Sequence, residues 1–253
     1  MIDTSDLKTN FERDGYVALT PLMSVDEVAN LNTEIHRFIR DVAPDMPREQ
    51  VYYEDKDDPS TLKQLQKMFE YDPFFEDLML NGPVRKVAET VLGEPVSPIN
   101  MQFFNKPPGL GKPTPPHQDG YYFHLEPCNA VTGWLALEDV DEENGCIHYV
   151  RGSHKPKDFR NHGQTGVLGF SQGMTDFGTQ ADRDNTVAFP GRAGTFLMHH
   201  AKTIHWAGPN VSPTRSRKAL GFIYYGMSAK LDLDAQTRYQ ATLDAQLRTS
   251  KAI

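Results

Sequence analysis

Apolar residues in the first part of the chain recur mainly at the spacing of amphipathic helices. After Ser24 they follow one another three or four positions apart, and Ser24 with Glu27 forms the capping box that marks a helix start. A second periodic stretch begins at Pro83 and ends at Gly93, the usual placement of proline and glycine at helix ends. We therefore predict that residues 1–100 form a mainly helical flank.

Two further stretches of this flank carry shorter patterns. Residues 16–19 follow a glycine and have the composition of a short strand. Residues 61–79 have helical spacing with an interruption at Pro73. A broken helix is therefore predicted for 61–79.

From residue 101 to residue 226 the pattern changes to a period of two. Between 131 and 137, apolar residues alternate with a second set that includes Thr132 and Trp134, as on the two faces of a strand. Further short apolar runs, separated by breaks rich in glycine and proline, lie at 146–150, 196–198 and 219–225. Short strands at such spacing are typical of a sandwich or barrel rather than a parallel sheet.

Two polar stretches interrupt or follow this β core. Residues 151–192 carry few strand signals and are predicted to form a long insert. Residues 229–253 are predicted to form a C-terminal tail helix. Because no repeat or low-complexity linker divides the sequence, we predict a single domain over residues 1–253.

Composition and charge narrow the classes of function. Among 253 residues, 34 are acidic and 26 are Lys or Arg, and the resulting net charge of -8 argues against an extended nucleic-acid-binding surface. No apolar run approaches the roughly 20 residues of a membrane helix. Two cysteines are too few for a disulfide framework and the first residues lack a signal-peptide pattern, so a cytoplasmic location is expected.

His117 and Asp119 are the first candidates for chemistry. In an extended strand, residues two apart point to the same side, so this imidazole and this carboxylate can face one point. Alone, such a pair is more typical of hydrogen-bonded loop residues. His205, in a strand-like piece ended by a turn, can supply a third ligand. Two histidines and one carboxylate form the facial set that leaves positions open on Fe(II) for oxygenase chemistry.

Arg217 follows His205 by twelve residues and begins an alternating strand. A guanidinium group holds a carboxylate through a bidentate pair of hydrogen bonds. This spacing therefore suits a dicarboxylate that chelates the metal through one end and binds Arg217 through the other.

Other polar residues of this region have simpler interpretations. His199 and His200 precede His205 on a predicted strand and are expected to have structural roles, with a bond to a metal ligand as the alternative for one of them. His154 fits a turn residue bonded to the backbone, and the acidic run at 138–143 fits a solvated loop.

Together these segments resemble the phytanoyl-CoA dioxygenase (PhyH) family of Fe(II)- and 2-oxoglutarate-dependent oxygenases. The resemblance covers residues 6–227 and keeps the order and the approximate spacing of the family's motifs. Its strongest segments are 105–109, 117–123, 134–140, 143–146, 151–154, 205–210 and 217–219.

The resemblance implies an α+β fold with a double-stranded β-helix (jelly-roll, cupin-like) core flanked by N-terminal helices. It implies that Fe(II) is bound by His117, Asp119 and His205, with 2-oxoglutarate and O2 as co-substrates. The residues implied to contact 2-oxoglutarate are Arg217, for its distal carboxylate, then Trp134 and Gln102, and an upstream lysine that falls at Lys63.

The sequence departs from the family pattern after the distal histidine. Trp206 stands where the family usually has glycine, and Ala207 where it often has a small hydroxyl residue. The arginine lies one residue further along than expected, so Arg215 competes with Arg217. We favour Arg217 because Lys218 and the alanine after it match the family strand.

The function implied is a dioxygenase that hydroxylates an unactivated C–H bond and releases succinate and CO2. Related halogenases replace the ligand carboxylate with a small residue, so the presence of Asp119 favours hydroxylation. Two alternatives stay open: a non-catalytic module that binds metal or ligand, and a cupin-type metalloenzyme that does not use 2-oxoglutarate.

Family members oxidise acyl-CoA thioesters, small zwitterions, phosphonates and natural products. This sequence has no extended basic patch for coenzyme A. We therefore expect a small or medium metabolite as substrate, and neither nucleic acid nor membrane as partner. The sequence predicts no particular oligomeric state.

Overall fold

The computed structural model describes residues 6–55, 57–167 and 170–238. In the predicted tail helix over 229–253, residues 229–232 are not helical and residues 233–238 are, and the part after 238 lies outside the described residues. The other α-helices are α1 Leu7–Asp14, α2 Val25–Asp41, α3 Met68–Tyr71, α4 Pro73–Asn81, α5 Pro83–Leu92, α6 Gly120–Phe123 and α7 Gln180–Asn185.

The strands form two antiparallel sheets and a separate hairpin. They are β1 Tyr16–Leu19, β2 Val51–Tyr53, β3 Leu62–Leu65, β4 Val96–Lys106, β5 Thr114–His117, β6 Ala130–Ala136, β7 Ile147–Val150, β8 His162–Val167, β9 Phe170–Met174, β10 Thr186–Phe189, β11 Phe196–His200, β12 His205–Ala207 and β13 Arg217–Gly226. The larger sheet has the order β1-β11-β6-β13-β4-β3-β2, the smaller sheet has the order β10-β7-β12-β5, and β8 pairs with β9. The two sheets face each other without closing into a barrel, which agrees with the expected β-helix core.

Helix α2 begins where the sequence predicts, and α5 both begins and ends there. At the start of α2, the Ser24 hydroxyl accepts a hydrogen bond from the Glu27 amide, and the Glu27 carboxylate accepts one from the Ser24 amide at 2.8 Å. Helix α5 begins with Pro83 and ends before Gly93, whose φ of 71° places it in the left-handed region.

The main hydrophobic core lies between these helices and one face of the larger sheet. Val28 of α2, Phe75 of α4 and Val87 of α5 pack in one cluster with Leu135 and Phe222 of the sheet. The alternation in β6 decides which residues face the helices and which face the smaller sheet. The polar positions of the larger sheet therefore point into the space between the two sheets.

The predicted helix over 61–79 is wrong in its first part. Residues Leu62–Leu65 form a strand that pairs with β4 through Leu65 and Phe103, while the helical part begins at Met68. The pairing partner lies about 40 residues away, and the bonds that it supplies outweigh the local helical pattern. The β core also begins earlier than predicted, because β4 starts at Val96.

The predicted insert over 151–192 is shorter than expected. It contains the β8–β9 hairpin and α7, but Thr186–Phe189 is a core strand paired along its whole length with β7. Because the partner of Thr186–Phe189 precedes the insert in the chain, short-range patterns gave no sign of this pairing. Among the helices described, none combines the length and the apolar composition that crossing a bilayer requires.

Candidate metal centre and cavity

His117 and His205 lie opposite each other on neighbouring strands of the smaller sheet. Their Cα atoms are register partners on β5 and β12, both side chains are buried, and their ring centroids are 4.1 Å apart. Strand β5 contains two prolines, which an edge strand tolerates because one side of it needs no hydrogen bonds. The sheet pairing therefore brings together two histidines separated by almost 90 residues.

A backbone carbonyl orients each of these rings. Nδ1 of His117 lies 2.8 Å from the carbonyl oxygen of Pro115, and Nδ1 of His205 lies 3.1 Å from that of Thr203. A hydrogen on Nδ1 leaves the lone pair on Nε2, which is the usual tautomer of a metal-binding histidine. Burial and the neighbouring histidines His199 and His117 hold the pKa of His205 well below its ordinary value, which favours this neutral form.

Asp119 completes the group, although it does not lie on a strand. Strand β5 ends at His117, and Asp119 has helical backbone angles just before α6, so a turn rather than strand alternation directs its carboxylate. Its Oδ1 lies 3.2 Å from Nε2 of His117 and 3.6 Å from Nε2 of His205. One donor atom from each of the three residues lies within 4.8 Å of the other two.

Asp119 carries a negative charge in this setting. Burial alone would raise its pKa, but electrostatic and hydrogen-bonding interactions with His205, His117 and His199 outweigh that effect and hold the pKa well below its usual value. Its second oxygen, Oδ2, accepts a hydrogen bond from the Thr132 hydroxyl at 2.6 Å and lies 3.2 Å from Nε2 of His199. The centre thus offers two neutral imidazole nitrogens and one carboxylate oxygen from one side, a donor set that suits Fe(II).

A second group of possible ligands, Glu142, Cys146 and His148, has less suitable chemistry. Its three donor atoms also lie within 4.8 Å of one another, but the Glu142 side chain is 67% exposed. Burial raises the pKa of the Cys146 thiol to about 11, so it stays protonated near neutral pH and is a weak ligand. The geometry therefore favours the His117 group as the metal centre.

A cavity of about 260 Å³ extends from this centre between the two sheets. The metal-centre residues lie on its wall, and so do four cationic side chains and several aromatic ones. Its polar and charged lining includes Glu54, Lys63, Gln64, Gln66, Gln102, Asn105, Lys106, Lys112, Thr132, His199 and Arg217, and its aromatic lining includes Phe104, Tyr122, Phe123, Trp134 and Trp206.

Arg217 lies inside this cavity and Arg215 does not. The Arg217 side chain is buried, its guanidinium carbon is 5.6 Å from the centre of the Trp134 ring, and its Nε has no hydrogen-bond partner among the described residues. Burial lowers its pKa to about 10, so it remains positively charged at neutral pH. Arg215 instead binds both carboxylate oxygens of Asp141 at 2.9 Å and also contacts Glu143.

The other predicted contact residues also reach the cavity. Trp134 and Gln102 line it from β6 and β4, and the Gln102 side-chain oxygen accepts a hydrogen bond from Gln64 at 2.6 Å. Lys63 lies on β3, and its Nζ is 3.2 Å from a carboxylate oxygen of Glu54. The structure therefore brings every predicted site residue to one cavity.

Lys106 was not assigned a role from the sequence, yet it lies in this cavity beside Arg217. It is buried and donates a hydrogen bond to the carbonyl of Gly208. Burial, reinforced by the charges of Arg217 and Lys63, lowers its pKa to about 6. Gln102, Phe104 and Lys106 are alternate residues of β4 and so lie on the same face of the strand. This alternation is the signal in the sequence that could have identified Lys106.

His199 is the second residue whose contact the sequence did not predict. A structural role was expected, but the structure places it against the carboxylate of Asp119, 80 residues away. His200, its neighbour in the chain, lies on the other side of β11, where its ring is near those of Phe11 and His154. The alternation within β11 separates the two histidines, although sequence alone did not show which faces the metal centre.

Solved structures share this fold across nearly the whole chain. The epimerase SnoN in complex with Fe3+, alpha ketoglutarate and nogalamycin RO has a TM-score of 0.72, with 24% identity over 90% of this chain and 85% of that one. EctD from S. alaskensis with bound Fe has a TM-score of 0.74, with 22% identity over 90% of this chain and 78% of that one. The predicted jelly-roll fold is confirmed by these similarities.

Sequence relatives point the same way. A Danio rerio phytanoyl-CoA dioxygenase domain-containing protein 1 is 30% identical over 56% of this chain and 50% of its own length. The peroxisomal phytanoyl-CoA dioxygenase of Mus musculus is 27% identical over 82% of this chain and 64% of its own length. A probable alpha-ketoglutarate-dependent hypophosphite dioxygenase of Stutzerimonas stutzeri is 26% identical over 85% of this chain and 75% of its own length.

The first two of these alignments span only half to two thirds of the relative's length. The model of the phytanoyl-CoA dioxygenase (PhyH) family, however, matches residues 11–219, a segment that includes both histidines, Asp119 and Arg217. The chain therefore belongs to the phytanoyl-CoA dioxygenase family.

Proposed function

We propose that this chain is an Fe(II)- and 2-oxoglutarate-dependent oxygenase in which His117, Asp119 and His205 bind the iron. The observation that carries the proposal is the meeting of three suitable donor atoms, within 4.8 Å of one another, in a cavity that also contains the buried Arg217. Family membership over most of the chain supports it.

The residues of the cavity fit both Fe(II) and 2-oxoglutarate. Two neutral imidazoles and one carboxylate carry a single negative charge, which suits a divalent iron and leaves coordination positions open. The guanidinium of Arg217 is buried, charged and incompletely hydrogen-bonded, and such a group is stabilised by a carboxylate partner. The cavity thus has a metal-binding part and an anion-binding part, as chelation by 2-oxoglutarate requires.

Each residue then has a defined task. Iron with 2-oxoglutarate and O2 supplies the oxidising chemistry, with succinate and CO2 as co-products. His117, Asp119 and His205 would hold the iron, and the cavity beside them would receive the co-substrates. Arg217 orients 2-oxoglutarate by binding the distal carboxylate of that co-substrate. The ring of Trp134 packs against the Arg217 guanidinium and supports it. The two sheets exclude water from the reacting atoms.

Lys63, Lys106 and Gln102 are proposed as further contacts in the anion-binding part. The charges of Arg217 and Lys63 act on Lys106, whose pKa of about 6 leaves it mostly neutral at neutral pH. A dianion such as 2-oxoglutarate favours the charged form of Lys106, so that all three side chains then attract it. The salt bridge to Glu54 already satisfies part of the charge of Lys63, so Arg217 and Lys106 carry the larger share.

For the reaction itself, we propose hydroxylation of a C–H bond in a small or medium metabolite. The retained Asp119 supports hydroxylation over halogenation. The cavity wall combines apolar Phe123 and Ile223 with Tyr122, Gln64 and other polar groups, which suits a substrate with both carbon and hydrogen-bonding surface. A non-catalytic binding module, or a metalloenzyme that does not use 2-oxoglutarate, are the competing functions.

An anaerobic optical titration with Fe(II) and 2-oxoglutarate tests the chelate. We expect a visible charge-transfer band in the wild type, no band in His205→Ala, and a much weaker affinity for 2-oxoglutarate in Arg217→Ala. Arg215→Ala is the matched control and should titrate like the wild type, because Arg215 lies outside the cavity. A wild type that binds iron stoichiometrically without forming the band would contradict the proposal.

Activity provides the second part of the test. Candidate metabolites are screened by release of succinate above the uncoupled background, and the products are examined for added oxygen. Succinate release with a product that gains one oxygen atom supports hydroxylation. Turnover in the absence of 2-oxoglutarate would favour the cupin-type alternative, and binding without any turnover would favour the non-catalytic module.

A further inference from the structure

The two carboxylate oxygens of Asp119 have different surroundings. Oδ1 faces Nε2 of His117 and of His205, at 3.2 and 3.6 Å. Oδ2 faces the larger sheet, where the Thr132 hydroxyl donates to it at 2.6 Å and Nε2 of His199 lies 3.2 Å away. Asp119 therefore bridges the two sheets, with one oxygen on each side.

Thr132 and His199 are themselves paired by the sheet. They are register partners on β6 and β11, just as His117 and His205 are partners on β5 and β12. One cross-strand pair thus faces each oxygen of the same carboxylate. Two strand registers therefore fix the groups that face each oxygen, and the turn before α6 directs the carboxylate between them.

Tyr149 and Asp119 bind the two ring nitrogens of His199, one on each side. The Tyr149 hydroxyl lies 2.9 Å from Nδ1 of His199, and both side chains are buried. Since the carboxylate of Asp119 can only accept, every arrangement that keeps both hydrogen bonds places a hydrogen on Nε2 of His199. The neutral tautomer then accepts from the tyrosine through Nδ1 and donates to Asp119 through Nε2.

We propose that His199, oriented by Tyr149, is a positioning residue that restricts Asp119 to coordination of the metal through Oδ1 alone. A carboxylate with both oxygens free can also chelate a metal ion and so occupy an extra position. Hydrogen bonds to Oδ2 oppose that mode and keep the position for a co-substrate. This inference rests on the proposed function, because it assumes that the His117 group binds the metal.

The alternative is that His199 only fills space. Its ring also contacts the ring of His205, with centroids 4.1 Å apart, so loss of the imidazole would disturb packing as well as hydrogen bonding. The two roles differ in what a replacement must provide. Glutamine can place an amide N–H near the position of Nε2, whereas leucine fills similar space without a donor.

The experiment measures the affinity of the full chain for Co(II), a spectroscopic substitute for Fe(II), together with the visible spectrum of the bound ion. We expect His199→Leu to bind about 10- to 100-fold more weakly than the wild type, the usual cost of losing a hydrogen bond to a metal ligand. We expect its spectrum to change as well, because chelation by Asp119 alters the coordination number. His199→Gln should recover most of the affinity and the wild-type spectrum, and Tyr149→Phe should fall between the two.

His200→Leu is the matched control, since it removes a histidine from the same strand on the face away from the metal centre. It should leave both affinity and spectrum unchanged. Should the leucine variant at position 199 fail to fold, His199→Asn replaces it, because the shorter amide cannot reach Asp119 from β11.

Equal weakening of the leucine and glutamine variants would assign His199 to packing and overturn the inference. Wild-type affinity and spectrum in His199→Leu would overturn it too. These results are distinguishable from failure of the proposed function, which would appear as Co(II) binding by the wild type that Asp119→Ala does not alter.

Discussion

His117 and His205 face each other across a single pair of strands, so their distance from each other depends on the register between β5 and β12. Strand β5 lies at the edge of the smaller sheet and is only four residues long. A metal ion held by both histidines would therefore join an edge strand to its neighbour. The metal centre and the stability of this sheet should be linked.

Metal binding is accordingly expected to stabilise the fold. A ligand that binds only the native state at 100 times its Kd adds about 2.7 kcal/mol to the free energy of unfolding. Thermal unfolding of the metal-free chain, repeated with Fe(II) or Co(II) under argon, should show a higher Tm with metal. Asp119→Ala should remove the increase, whereas an equal increase in that variant would show that metal binds elsewhere.

Arg217 should be intolerant of replacement by lysine. Arg217→Lys keeps a positive charge but loses the planar fork that pairs with a carboxylate, so we expect at least about a tenfold loss of affinity for 2-oxoglutarate, or 1.4 kcal/mol. Calorimetric titration of the Fe(II)- or Co(II)-loaded protein measures this loss. Arg215→Lys should change the affinity by less than twofold, because Arg215 binds Asp141 outside the cavity. Equal effects of the two substitutions would contradict this assignment of roles.

Because the pKa of Lys106 is lowered, we expect 2-oxoglutarate binding to be accompanied by proton uptake. The pKa of this lysine in the folded chain is about 6, so at pH 7.5 it is mostly neutral until an anion arrives and favours its charged form. Calorimetry in buffers of different ionisation enthalpy should therefore show proton uptake at pH 7.5 and little at pH 5, where Lys106 is already charged. Lys106→Met should abolish the pH-dependent uptake, and uptake that persists in this variant would show that another group is responsible.

The same residue affects stability in a defined direction. The unfolded chain holds this proton up to about pH 10.5, whereas the folded chain releases it near pH 6. Between these values the unfolded state binds more protons, so this group makes the free energy of unfolding increase with pH. Lys106→Met should flatten that part of the curve, as measured by urea unfolding of the ligand-free protein from pH 6 to pH 9.

Short-range sequence patterns predicted the helices and strands whose stabilising contacts lie within a few residues of one another. The capping box at Ser24 and the proline and glycine that bracket α5 are contacts within a few residues, and both were predicted correctly. The strand Leu62–Leu65 was not, because its hydrogen bonds come from β2 and β4, which lie outside the segment itself. The same reason explains why Thr186–Phe189 was assigned to the insert.

The candidate site shows the same division. His117 and Asp119 are close in sequence, and the strand-like segments of His205 and Arg217 indicated these two residues before the family resemblance supported them. The position of Lys106 follows from the alternation of side chains along β4, and the sequence alone allowed that prediction. The contact between His199 and Asp119 depends on how two sheets face each other, and no pattern within either segment contains that information. Contacts between sheets are therefore what sequence reasoning missed.

The helical layer should be essential to stability but not to metal binding. Phe75 of α4 and Phe38 of α2 are fully buried and form an edge-to-face pair with ring centroids 5.2 Å apart. Phe75→Ala removes this pair and leaves a cavity, at an expected cost of about 3–5 kcal/mol in the free energy of unfolding. Urea unfolding should show a lower midpoint with an unchanged slope.

Val25→Ala is the control for this substitution, because Val25 begins α2 and is 82% exposed, so its loss should cost no more than about 0.5 kcal/mol. The Co(II) affinity of folded Phe75→Ala should equal that of the wild type, since Phe75 packs on the side of the larger sheet opposite the cavity. A cost below 1 kcal/mol, or a large loss of Co(II) affinity at full folding, would contradict this separation of the stabilising helical layer from the metal-binding cavity.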